Sequence, residues 1–169
     1  MGSAVLILQD MPDRLTIDVD FWRTTPETRQ GLASLFKLLN VDFDPVDYRH
    51  RDKPYVQWVS PGFVHMPVEE SWRDEAKVLW RGNYLVVKHP PVGVMLASKL
   101  AAWREQDVED VRYIVQSYPD WKESLERWVR CFSEEHQEVI RDNMVFTELF
   151  EKEAPVLRGE KSPVRGPRR

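Results

Sequence analysis

The chain reads as an α+β protein. Two observations carry that reading. Short β-branched and aromatic runs, separated by turn residues, gather in the first half, while apolar residues at helical spacing fill the second half. The composition adds a third: 169 residues, 42% hydrophobic and 31% charged, suffice for one ordinary domain with a core.

Ser3 suits a helix cap, and the apolar run Ala4 to Gln9 behind it predicts a short buried helix. Asp10-Met-Pro-Asp13 is turn chemistry. A strand is expected from about Leu15 to Arg23. Thr25, Pro26 and Glu27 then open a helix, and Leu32, Leu35, Phe36 and Leu39 give it one apolar face up to Asn40. Asp42 to Lys53 is polar and broken by proline, so it reads as a loop. Tyr55 to Val59 predicts a strand and Phe63 to Met66 a short extended piece. Ala76 to Trp80, the Gly82-Asn83 turn and Tyr84 to Val87 predict a hairpin.

Pro90-Pro91 starts a helix reaching about Trp103, and a second begins with Asp107 as its cap and Asp110 at the third position. Pro119-Asp120 breaks that helix near Tyr118. A third runs from Trp121 to Phe132, with Trp121, Leu125, Trp128 and Phe132 on one stripe, expected to pack on the domain's own core. Ser133-Glu-Glu caps a fourth, to about Lys152. Residues 154–169 hold three prolines and two glycines among basic residues and read as a disordered tail. Its arginines and lysine could touch RNA, or serve solubility alone. The organisation expected is a domain over residues 1–118, C-terminal helices over 119–153 packed on it, and the tail.

A formal charge of −4 supplies no overall basic field for nucleic acid. The single cysteine, Cys131, excludes an internal disulfide and fits a reducing cytoplasm. No run of about 20 apolar residues predicts a membrane span. Met1 to Leu8 is too short, and lacks the basic flank, for a signal peptide. His65, His89 and His136 are too far apart in sequence to suggest a zinc site, and His50 stands in a charged loop.

The first constellation with chemistry in it is Asp18-Val-Asp20. On a strand, the two aspartates project to one face about 7 Å apart. They repel each other, and a divalent cation between them, Mg²⁺ or Mn²⁺, resolves the conflict. The alternative is an edge strand with two acids on its solvent face. Some 15 residues earlier, Gly2-Ser3 at a helix start offers backbone N–H groups and a hydroxyl to phosphate. Together these supply the positioning and charge neutralisation that phosphoryl transfer requires.

The second constellation is Lys99, Arg104, Asp107 and Asp110. Val92, Met95, Leu96, Lys99 and Trp103 share one helical stripe, so Lys99 sits on an apolar face. Its ammonium either snorkels to water or is aimed into a cleft to meet a phosphate. Arg104 could tie to an aspartate or face a nucleotide.

Gly2-Ser3…Thr16-Ile-Asp18-Val-Asp20 resembles the Gly-[Gly/Ser]…Asp-x-[Asp/Glu] signature of the nucleotidyltransferase fold shared with DNA polymerase beta. Leu96-x-x-Lys99-Leu-x-Ala-x-Arg104-x-x-Asp107-x-x-Asp110 is similar to the second-half motif of AbiEii-type toxin nucleotidyltransferases and of a related bacterial family of unknown function. Gln57 to Gly62 and the Trp72 to Lys88 hairpin resemble that second family. The likeness spans about residues 2 to 115. It implies a small mixed sheet flanked by helices and a Mg²⁺ site at Asp18 and Asp20. It further implies a nucleoside triphosphate whose phosphates meet Gly2 and Ser3, with Lys99 and Arg104 on the nucleotide side. Asp107 and Asp110 would be supporting or active-site carboxylates. The implied activity is nucleotide transfer to a protein or RNA acceptor, toxin-like and held in check by an antitoxin, with Asp18, Asp20 and Lys99 catalytic. The other implication is a catalytically degenerate domain that binds a nucleotide or a protein.

Two departures bear on that choice. The family places a strand before the Gly-Ser corner, where this chain has Met1, so either the start is late or a central strand is missing. Active members also add a third carboxylate from a later strand, where this chain has Gln57, with Asp42 and Asp44 as the alternatives.

Overall fold

A computed structural model describes residues 4–7, 11, 18–21, 26–46, 53–59, 64–83 and 86–153. Gly2, Ser3, the turn at 12–13 and the tail at 154–169 lie outside these residues.

The fold is mixed α+β, with its strands early and its helices late. Helix α1 is Ala4–Ile7, strand β1 Asp18–Phe21, helix α2 Pro26–Leu38, strand β2 Asp42–Phe43 and strand β3 Tyr55–Trp58. These three strands form a sheet in the order β1-β3-β2, all parallel. The polar stretch after Asn40 is therefore not all loop. Asn40 leaves α2 in the left-handed region at φ 54°, which asparagine tolerates, and the Val41 N–H closes onto the Phe36 carbonyl at 2.9 Å. Phe43 then stacks on Phe36 at 5.7 Å between ring centroids, which holds two residues of strand against the helix.

Strands β4, Lys77–Arg81, and β5, Val86–His89, pair antiparallel with a bulge between Val78 and Trp80. They form a separate two-stranded piece, so the single mixed sheet expected from the resemblance is divided among the described residues. No strand forms at residues 64–66; one 3-10 turn, Ser71–Arg73, follows and buries Trp72.

Helices α3 (Val92–Ala102), α4 (Glu105–Ser117), α5 (Trp121–Val129), α6 (Glu134–Asn143) and α7 (Val145–Lys152) complete the fold. The expected last helix is two, parted at Met144. Ser133 caps α6 as its sequence suggests, its hydroxyl accepting from the His136 N–H at 3.3 Å. The core is built on α3: Leu96 and Leu100 pack with Val111 and Ile114 of α4, Leu125 of α5 and Ile140 of α6, all inaccessible to solvent. Leu6 of α1 enters the same core, so the N-terminal helix is anchored by burial rather than by its length. The expected stripe is buried, Trp121 and Leu125 of α5 and Phe132, which lies just past the helix end at Val129, in this core, and Trp128 with Met66, Trp72 and Val94. Helices α3 and α5 cross closely at Gly93, where an added Cβ would lie 2.0 Å from the Ser124 carbonyl oxygen.

Candidate functional site

Three groups of side chains meet in ways that bear on chemistry. The first is on the parallel sheet. β1 runs beside β3 with Asp18 opposite Tyr55, Val19 opposite Val56, Asp20 opposite Gln57 and Phe21 opposite Trp58. Of the two aspartates, the Asp18 side chain lies outside the described residues and the Asp20 side chain is half-buried. Residues opposite each other on adjacent strands share a face, so the amide of Gln57 stands beside Asp20.

Strand β3 is central and β2 lies on its other side. Asp42 and Asp44 are therefore two strand spacings from β1, about 9–10 Å. Gln57, on the central strand, holds the position adjacent to Asp20, and Asp42 and Asp44 stand one strand further away. Asp44 is engaged otherwise: Arg29 forms an ion pair with it, the Trp58 N–H reaches it at 3.4 Å, and Arg29 lies over the Trp58 ring. The oxygen donors along β1 and β3 suit magnesium, an ion often held through one or two carboxylates while water and substrate phosphate fill the other positions. No cluster of three His, Cys, Asp or Glu side chains fit for a metal occurs among the described residues.

The second group joins α3 to α4. Lys99 is buried, and its Nζ lies 2.7 Å from Asp107 Oδ1 and 2.7 Å from Asp110 Oδ2, both aspartates being fully buried. The turn between the helices sets this up. Trp103 ends α3 in the left-handed region at φ 44°, a strained conformation for a bulky residue, held by the Phe146 ring at 4.9 Å. The cap of α4 is then Arg104, not Asp107; Asp107 sits three residues in, where its carboxylate accepts from the Arg104 backbone N–H at 3.1 Å. Arg104 Nε adds a bond at 2.7 Å. Burial pushes the Asp107 carboxyl up, but the bonds and charges of Arg104 and Lys99 outweigh it and the net is below the usual range. Lys99 does not snorkel to water. Its charge is spent between two carboxylates, and with Arg104 the group is neutral.

The third group was not legible by spacing. His65 Nδ1 and His136 Nε2, far apart in sequence, are 3.0 Å apart. The Phe132 ring stands edge-on to His136. Burial lowers the pKa of His65; the charges of His136 and Arg104 lower it further, against a smaller opposing effect of Asp107. The pair therefore stands near the α3–α4 network.

No family model, curated protein or solved structure matches the chain.

Proposed function

We propose that the protein is a nucleotide-binding domain of nucleotidyltransferase type, which holds a magnesium–nucleoside triphosphate along β1 without carrying transfer through. One observation carries the reading: Asp20 is in register with Gln57 on the adjacent strand. The transferase resemblance expects a third carboxylate from a later strand, and on this strand the polar residue is Gln57. Glutamine accepts a hydrogen bond but takes no proton and adds no negative charge. Aspartates at alternate positions of β1 still offer charge to a magnesium-bound phosphate. Lys99 and Arg104 are bound up with Asp107 and Asp110, and so act as a brace for α3 and α4 rather than as phosphate ligands.

Thermal unfolding with ATP, GTP, CTP and UTP, each with and without Mg²⁺, tests this. A ligand at 100 times its Kd adds about 2.7 kcal/mol, roughly 5–10 °C in Tm for a chain of this size. At least one nucleotide should raise Tm only with Mg²⁺, and Asp20→Asn should abolish the rise. No rise with any nucleotide refutes the reading. The second reading, favoured by the two acids on one strand, is a working transferase acting on a protein or RNA acceptor, toxin-like and paired with an antitoxin. Label from an α-labelled nucleotide appearing on protein or RNA, and lost in Asp20→Asn, would establish it in place of the first.

A further inference from the structure

A cleft of about 430 Å³ opens between the hairpin, the start of α3 and helix α5, away from β1 and β3. Its size is that of a small-molecule site. His89, 5% exposed, lines it beside Tyr118 and Trp128. The His89 Nδ1 meets the Pro90 carbonyl, an acceptor only, so Nδ1 carries the proton. In the neutral ring Nε2 is then a hydrogen-bond acceptor, and it has no partner among the described residues. A buried polar atom left unsatisfied is costly and calls for an explanation.

The charges around the cleft say which donor fits. Glu75 and Arg127 pair with each other, and Arg127 also lies over the Trp128 indole at 5.1 Å. Asp120 and Glu123 make no ion pair among the described residues, and Asp120 caps α5 without a side-chain bond to the helix. With Lys77 the lining carries three carboxylates against two cations. A neutral acceptor, surplus negative charge and aromatic walls together fit a cationic donor on an apolar body.

We propose that this cleft binds a small organic amine, its ammonium donating to His89 Nε2 and facing Asp120 and Glu123, its apolar body lying against Tyr118 and Trp128. Nε2 is closed to solvent, so the amine reaches it only as the ring or its neighbours shift. Burial lowers the His89 pKa, which keeps the ring neutral and the acceptor available.

Phenethylamine is a suitable probe, with phenylacetate, the same body bearing the opposite charge, as its control. NMR titration of the full chain follows the His89 ring and Trp128 indole signals. Phenethylamine should shift both saturably and phenylacetate should not. His89→Phe should weaken binding about tenfold or more, the cost of losing a hydrogen bond to a charged donor. The surface change Glu123→Gln, which leaves the core intact, should weaken it severalfold. The proposal is overturned if phenethylamine shifts neither signal, if phenylacetate binds equally well, or if Glu123→Gln leaves the affinity unchanged.

Discussion

Replacing Lys99 by methionine removes the ammonium shared by Asp107 and Asp110 while keeping most of the side-chain volume. The two acceptor oxygens are each 2.7 Å from one nitrogen, so they lie within about twice that distance of each other. At that separation two negative charges repel by about 3 kcal/mol at an effective dielectric of about 20. Removing one member of a buried pair typically costs about 3–5 kcal/mol, and the two figures agree. Against a total stability of about 5–15 kcal/mol this is a large fraction, and it should lower Tm by roughly 6–20 °C. Urea unfolding followed by tryptophan fluorescence measures it. A loss below about 1 kcal/mol in Lys99→Met would refute the brace and return Lys99 to the candidates for binding phosphate.

Three further outcomes follow from the packing and the titrating groups. Gly93→Ala should destabilise by at least about 1–3 kcal/mol in the same urea assay, because its Cβ would meet Ser124 backbone and force α3 and α5 apart. Ser133→Ala should cost about 1 kcal/mol, the usual worth of a helix cap, with α6 the first helix to gain amide exchange. Stability should fall as pH drops through about 6.5: unfolded imidazoles take up protons there, while burial holds the pKa values of His65 and His89 lower in the fold, so the unfolded chain binds more protons. A further loss below about pH 4 belongs to Asp107, whose folded pKa is depressed. Thermal scans from pH 8 to pH 3 check this, and a Tm that rises between pH 7 and pH 5 would contradict it.

Most helices and four of the strands could be read from the chain because local chemistry decides them: the caps, the prolines and the α5 stripe act within a few residues. Strand β2 could not, since Asp42 and Phe43 form strand only through pairing with β3 and the stacking of Phe43 on Phe36. Lys99 was visible as a charge on an apolar face, but its partners were not. They meet it only because the chain turns sharply at Trp103 and lays α4 back against α3. The same spacing had Asp107 as a cap and places it instead at the third position of α4, where it accepts from the true cap, Arg104. His65 and His136 are paired by tertiary contact alone, so no periodicity could join them. Gln57 was legible as the polar residue of its strand, and its place beside Asp20 required the register.

Mn²⁺ with ATP, or with whichever nucleotide the thermal screen selects, provides the most direct test, because the paramagnetic ion broadens only nearby amide signals. Binding along β1 should broaden Asp18 to Phe21 and Tyr55 to Trp58, and Asp20→Asn should restore them. Broadening confined to the helices, or undiminished in Asp20→Asn, would contradict a nucleotide site on this sheet.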